Sequence, residues 1–126
     1  MMKREGVLIL FIFLVLALIN LASAADGDVV YAKNFGGTSL DKGHAVATDA
    51  NGNTYVTGFF QWTANFGGTS LTSAGSLDIF VAKYSPTGAY LWSKQFGGTG
   101  INTANGIKVD ANGDLFITGQ FTGSMN

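Results

Sequence analysis

The chain has 126 residues, of which 47% are hydrophobic, with no cysteine and a formal net charge of −1. The missing cysteines exclude a disulfide framework, a zinc–thiolate site and a cysteine nucleophile. The charge offers no basic surface for nucleic acid, because beyond residue 24 the only charged side chains are seven Asp and five Lys.

The first 24 residues have the composition of a signal peptide. Lys3 and Arg4 precede an apolar run over residues 7–21, and Ala22 and Ala24 are the small residues that a signal peptidase requires. We predict a signal helix over residues 1–24, cleavage after Ala24, and a protein exported to the cell envelope or the medium. The alternative is an uncleaved anchor, which would then be the contact of this chain with a membrane.

The rest of the chain, residues 25–126, contains an internal repeat with a period of 61 residues. Asp49-Ala50-Asn51-Gly52 recurs from Asp110, and Phe35-Gly36-Gly37-Thr38 recurs from Phe96. Residues 28–65 aligned on residues 89–126 give 13 identities in 38 pairs. A fixed period of this length indicates a repeat architecture. A third Phe-Gly-Gly-Thr, which begins at Phe66, does not fit the 61-residue period. We interpret it as a loop sequence that is used again and not as part of the repeat.

Within one period the pattern predicts β-strands and turns, without a helical periodicity. Strands are predicted over residues 44–48 and 54–60, joined by a tight hairpin in which Asn51 and Gly52 supply positive φ angles. A second pair is predicted over residues 79–84 and 90–96, joined by a turn at Pro86. Residues 61–77 are rich in Gly, Ser and Thr and are predicted to be a long connection.

Four antiparallel strands that recur at a fixed period and are apolar on both faces are typical of a β-propeller blade. The predicted fold is therefore all-β. Residues 29–35 form the outer strand of a preceding blade, residues 44–96 one complete blade, and residues 106–121 the inner half of the next. One blade cannot bury its own faces, so the chain would need further blades or self-association to close a ring.

Three separated motifs resemble the seven-bladed β-propeller repeat of exported bacterial and archaeal proteins. They are DANGNTYVTG at residues 49–58, LTSAGSLDIFVAKY at residues 71–84 and GAYLWSKQFGG at residues 88–98. The resemblance implies a propeller architecture and export. It also implies that this chain, with fewer than two full repeats, is the N-terminal fragment of a longer protein.

The turns at Asp49 and Asp110 place oxygen atoms at alternate positions, as calcium loops do. An EF-type loop has Gly at position six and Glu at position twelve, whereas these turns have Gly at position four and Phe60 or Phe121 at position twelve. We interpret the aspartates as acceptors for turn amides, with Ca²⁺ as the alternative. No other cofactor is predicted.

A catalytic site is not predicted in this chain. His44 is the sole histidine and its repeat counterpart is Asn105, so a histidine triad or a multi-histidine metal site cannot be built. The alternative is that the chain belongs to a propeller hydrolase or lyase whose active residues lie in further blades. A truncated reading frame without independent function is a third interpretation.

Trp62 is the aromatic residue that we single out as a candidate for ligand binding. Trp92 and Tyr31 occupy equivalent repeat positions, which favours packing between blades, whereas Trp62 has Gly123 as its counterpart. The predicted function is a binding or scaffolding surface at the cell surface. An unidentified protein or glycan would be the partner.

Overall fold

The computed structural model describes residues 29–125, so the predicted signal peptide, residues 1–24, lies outside the described residues. Contacts divide the chain into two units, Met1–Val30 and Tyr31–Asn126. The described part consists of strands and turns and contains no helix, which confirms the all-β fold class. Among the described residues, no helix has the length and apolarity of a membrane span.

Nine strands follow one another along the second unit. Their bounds are β1 Gly36–Gly37, β2 Asp41–Thr48, β3 Thr54–Phe60, β4 Thr63–Asn65, β5 Leu71–Thr72, β6 Asp78–Tyr84, β7 Tyr90–Phe96, β8 Asn102–Val109 and β9 Leu115–Phe121. They form a four-stranded, a three-stranded and a two-stranded sheet.

The four-stranded sheet has the strand order β2-β3-β6-β7, and every neighbouring pair is antiparallel. This is the strand order of a meandering propeller blade. β3 and β7 have the predicted bounds, whereas β2 begins three residues earlier than predicted and β6 one residue earlier. The extra residues of β2 precede a bulge between Gly43 and Ala45.

The two-stranded sheet repeats the inner half of this blade. β8 and β9 begin and end 61 residues after β2 and β3, and β8 has its bulge at the equivalent place, between Ala104 and Gly106. The inner strand of this pair was predicted from residue 106 and begins at Asn102. Because the bulge inserts one extra residue, Asn105, the alternation of side chains is interrupted there, and the sequence pattern shows only the part of the strand beyond it.

The outer strand predicted over residues 29–35 is wrong, because the chain forms no strand there. Residues 31–35 instead lie against a face of the blade: Lys33 sits over the ring of Tyr84, and Phe35 contacts the rings of Phe66 and Phe80. A strand needs a neighbouring strand edge for its backbone groups, and within the described residues this segment has none.

The long connection predicted over residues 61–77 is folded into structure of its own. It contains β4 and β5, and together with β1 these form the three-stranded sheet in the order β1-β4-β5. Gly36 pairs with Asn65 and Gly37 with Ala64. Sequence periodicity misses such strands because two or three residues are too short to show alternation.

The core lies on the blade face that β4 and Phe35 cover. Phe80 and Phe66 stack at 4.2 Å between ring centroids, and both are completely or almost completely buried. Tyr84 donates its hydroxyl to the carbonyl of Phe66 at 2.7 Å, and burial raises its pKa to about 12. The other members of this cluster are Phe60, Ala64 and Ala82.

Three backbone hydrogen bonds join the blade to the β8–β9 pair, the longest of them from the N–H of Leu77 to the carbonyl of Gly100 at 3.5 Å. The N–H of Asn102 donates to the carbonyl of Leu77 at 2.9 Å, and the N–H of Ser76 donates to the carbonyl of Gly100 at 3.2 Å. Leu77 and Ile101 form a parallel bridge at this junction. The two sheets are therefore linked through their backbones as well as through side-chain packing.

Candidate functional site

The hairpin turns share one geometry, in which a side-chain oxygen accepts from the turn amides. Asp49 Oδ1 accepts from the N–H groups of Asn51 at 3.0 Å and Asn53 at 2.9 Å. Asp110 Oδ1 does the same for Asn112 and Asp114, at 2.8 and 2.9 Å. This arrangement is the one that we predicted for these aspartates.

One detail of the turn prediction is wrong. Gly52 has φ 80°, but Asn51 is not among the residues with positive φ, so only one residue of the pair supplies the left-handed backbone. A five-residue loop, closed by the hydrogen bond from the N–H of Asp49 to the carbonyl of Asn53, needs left-handed backbone at a single position. The tight hairpin that we predicted has positive φ at both Asn51 and Gly52.

The second oxygen of Asp49 is also occupied. Oδ2 accepts from the side-chain amide of Asn53 at 2.8 Å and the hydroxyl of Tyr55 at 3.1 Å, and Lys83 Nζ lies 3.5 Å away. A calcium ion at Asp49 would have to displace these donors. Among residues 29–125, no three acidic or histidine side chains are close enough together to hold a metal ion.

These hydrogen bonds make Asp49 acid-sensitive. They lower its pKa from 3.8 to about 2, and the side chain of Asn53 is the largest cause. Because the folded pKa lies below the unfolded one, the contribution of this carboxylate to folding is complete above about pH 4 and is lost between about pH 4 and pH 2. We therefore expect the unfolding free energy of Asp49→Asn to fall less steeply than that of the wild type as the pH is lowered through that range.

Urea unfolding at a series of pH values between 5 and 2 measures this slope. Asn51→Ala, an exposed substitution in the same turn that leaves the Asp49 carboxylate in place, is the matched control and should keep the wild-type slope. An unchanged slope in Asp49→Asn would contradict the assignment of the low pKa to Asp49.

His44 lies in β2, at the bulge, as part of the contact between the two sheets. Its Nδ1 is 2.8 Å from the carbonyl oxygen of Ala104, and its ring meets the ring of Phe59 edge-on at 5.3 Å. This is the strand location predicted for His44. The contact gives the imidazole a structural partner on the neighbouring sheet.

Trp62 has a backbone conformation that is unusual for a residue other than glycine. It has φ 62°, and no other non-glycine residue of the described part has a positive φ. Its repeat counterpart is Gly123, with φ 79°. The position therefore suits glycine, and a bulky aromatic residue there carries a backbone strain of roughly 1–2 kcal/mol.

The indole of Trp62 is presented to solvent, with 65% of the residue exposed. The backbone is held from both sides by Ser73: the N–H of Trp62 donates to Ser73 Oγ at 2.9 Å, and its carbonyl accepts from the Ser73 N–H at 2.8 Å. Sequence reasoning missed Ser73, because it lies 11 residues away and only the β4–β5 pairing brings it near.

The chain neighbours of Trp62, Gln61 and Thr63, carry polar side chains with hydrogen-bond partners on other segments. Gln61 accepts a hydrogen bond from the hydroxyl of Ser39 at 2.6 Å, and the hydroxyls of Thr63 and Thr72 are 3.1 Å apart. Thr63 and Thr72 are exposed. The site thus combines a flat apolar ring with neutral hydrogen-bonding groups.

Sequence reasoning also missed a buried polar pair at the junction of the two sheets. Asp78 Oδ2 accepts from the N–H of Ala74 at 2.9 Å, and Asn102 Nδ2 donates to the carbonyl of Leu77 at 3.2 Å. Both side chains are completely buried, and Asn102 Oδ1 has no partner among the described residues. Neither residue belongs to the repeated tetrapeptides, so no signal pointed to them.

Comparison with known protein families gives one match. The model of a beta-propeller repeat family, SBBP, matches residues 91–120, which run from β7 through β8 to β9. The match confirms the resemblance drawn from the sequence motifs, and a β-propeller repeat is present in the chain. The comparisons found no matching curated protein and no matching solved structure.

Proposed function

We propose that the chain is an exported β-propeller module that acts as a binding surface without catalysis of its own, and that Trp62 is the point of ligand contact. The observation that carries this proposal is an exposed aromatic ring held in a backbone conformation that suits glycine. Strain of this kind persists where the surrounding structure enforces it, and it is concentrated at functional sites.

The chemistry around Trp62 favours a glycan over a charged ligand. A flat indole can stack on the apolar face of a pyranose, and neutral hydroxyl and amide groups can hydrogen-bond sugar hydroxyls. Gln61 and Thr63, the chain neighbours of Trp62, carry such groups, and Ser39 hydrogen-bonds Gln61. The basic and apolar leader supports export, which would place this surface at the cell envelope or outside the cell.

Replacing Trp62 by glycine separates binding from folding. We expect Trp62→Gly to abolish glycan binding while the free energy of unfolding stays within about 1 kcal/mol of the wild-type value, because the relieved strain offsets the flexibility of glycine. Calorimetric titration with soluble hexasaccharides of β-linked glucose and of N-acetylglucosamine measures binding. Urea unfolding measures stability.

Leu91→Ala is the control for this experiment, because Leu91 is an exposed apolar residue on the outer strand β7. This variant should bind as the wild type does. The chain is produced with its own leader and recovered after export, and an intact mass that starts at Ala25 confirms the processing. Equal binding by Trp62→Gly and the wild type, or no binding of either sugar by the wild type, would contradict the proposal.

The hydrolase or lyase alternative gains no support from residues 29–125. Asp49, Asp78, Asp110 and His44 are each engaged by backbone or turn groups. The alternative stays a prediction about residues in further blades.

A further inference from the structure

Three asparagines of the chain are followed directly by glycine: Asn51, Asn105 and Asn112. This dipeptide is chemically labile, because glycine has no side chain to hinder the attack of its own backbone nitrogen on the neighbouring Asn amide. The structure places the three pairs in two different environments. Asn51 and Asn112 lie in hairpin turns, whereas Asn105 lies in the bulge of β8. The three pairs are therefore not expected to be equally reactive.

The two turns restrain their Asn–Gly pairs through the hydrogen bonds that close them. In the first turn, the N–H of Gly52 donates to the carbonyl of Asp49 at 3.0 Å, and Asp49 Oδ1 accepts from the N–H of Asn51. The second turn repeats both bonds, with 3.1 Å from the nitrogen of Gly113 to the carbonyl oxygen of Asp110. In both turns the attacking nitrogen is already engaged, so these bonds would have to break before it could react.

Asn105 is not restrained in this way. It is the extra residue of the bulge, because the ladder passes from Ala104 to Gly106 and gives Asn105 no partner on β9. An unpaired bulge residue disrupts the ladder locally, so fewer hydrogen bonds hold its backbone in one conformation. The residue is also exposed, which gives water access to it. The side chain of Asn105 can therefore turn toward the nitrogen of Gly106 without the loss of a turn.

The first copy of the repeat shows that this position stays open when a further sheet packs beside it. His44, the counterpart of Asn105, is exposed although its Nδ1 lies 2.8 Å from the carbonyl oxygen of Ala104 on the neighbouring sheet. Solvent access is therefore a property of the bulge itself. The counterpart of Gly106 is Ala45, so the first bulge carries no Asn–Gly pair.

We propose that Asn105 is a site of spontaneous deamidation, with the backbone nitrogen of Gly106 as the nucleophile. This nitrogen forms a bond to Cγ of Asn105, and the bond from Cγ to the side-chain amide nitrogen breaks. The proton of the Gly106 nitrogen leaves with that amide group as ammonia. Water then opens the resulting succinimide at either carbonyl, which gives aspartate or isoaspartate. Water is the only co-reactant that these steps need.

The modification changes the charge close to the contact between the two sheets. It places a carboxylate one residue from Ala104, whose carbonyl oxygen lies 2.8 Å from Nδ1 of His44. The isoaspartate form also adds a methylene group to the backbone of β8. This site is distinct from Trp62 and does not depend on the proposed glycan binding.

Peptide mapping by mass spectrometry tests this assignment. The folded, exported chain is incubated at about pH 8 in water enriched in oxygen-18, and conversion at each Asn–Gly pair is followed over time. We expect Asn105 to react about tenfold faster than Asn51 or Asn112, because breaking one turn hydrogen bond first costs about that factor. Aspartate and isoaspartate should both form at Asn105 and carry the heavy oxygen. In urea the three pairs should react at similar rates, since the turns are then absent.

Gly106→Ala is the matched variant, because Ala45 shows that the equivalent bulge accepts a β-carbon at this position. The added Cβ would meet only the hydroxyl of Thr118, at 2.8 Å, the end of a side chain that can rotate away. The variant should slow conversion at Asn105 about tenfold, because the methyl group hinders the approach of the nitrogen, and should leave the two turn asparagines unchanged. The proposal is overturned if Asn105 in the folded protein reacts no faster than the turn asparagines, if isoaspartate is absent at Asn105, or if Gly106→Ala leaves its rate unchanged.

Discussion

Replacement of Phe80 by alanine should remove about 3–5 kcal/mol from the free energy of unfolding, the range for an aromatic ring deleted from a packed core. Phe80 is completely buried, stacks on Phe66 at 4.2 Å and meets Phe35 edge-on at 5.7 Å. The loss is comparable with the whole stability of many small domains, so the blade of the variant should be largely unfolded. Urea unfolding followed by far-UV circular dichroism measures the change.

The matched control is Phe116→Ala, which removes the same ring from β9. Phe116 is 59% exposed, so the cost should stay within about 0.5 kcal/mol. If both variants lost the same stability, the aromatic cluster on the covered face of the blade would not be the core of the fold.

The second large effect is expected at Gly58 of β3, which pairs with Gly43 of β2 beside the bulge. A Cβ on Gly58 would lie 1.9 Å from the carbonyl oxygen of Lys42, so Gly58→Ala has to push the two strands apart beside the bulge. We expect a loss of about 3 kcal/mol, the upper end of the usual cost of overpacking. Thermal and urea unfolding of the purified variant measure it.

Gly43→Ala is the control, on the opposite strand of the same pair. A Cβ there would lie 3.7 Å from Val56 Cγ1, an ordinary contact, and the variant should be close to the wild type in stability. Gly119 repeats the geometry of Gly58, with Thr103 O at 2.0 Å from the added Cβ. A Gly58→Ala variant as stable as Gly43→Ala would show that the strands can separate freely at the bulge.

The strands and their pairing followed from the sequence because the repeat and the local patterns pointed to the same arrangement. The 61-residue period predicted β8 and β9 from β2 and β3, and β-branched and aromatic residues between turn residues predicted β3 and β7 to the residue. The strand predicted over residues 29–35 is absent, because strand formation depends on a neighbouring strand edge as well as on local propensity. An apolar, β-branched segment has the same sequence pattern whether it pairs with a strand or lies across the face of a sheet.

The candidate site was predicted in part. The choice of Trp62 as a candidate followed from its glycine counterpart, Gly123, but its left-handed backbone did not, because single-residue dihedral angles leave no periodic signal. The role of Ser73 depends on the pairing of β4 with β5, strands too short to predict. The apolar cleft between the blade and β9 is visible only when the two sheets are placed together, since its walls come from residues 79–96 and 115–125.

The backbone link between Leu77 and Ile101 limits how the β8–β9 pair can separate from the blade. The bond from the Asn102 N–H to the Leu77 carbonyl crosses from one sheet to the other, and Asn102 itself is completely buried. The β8–β9 pair therefore cannot peel away while the blade stays intact without breaking buried backbone bonds. We therefore expect the two sheets to unfold as one cooperative unit.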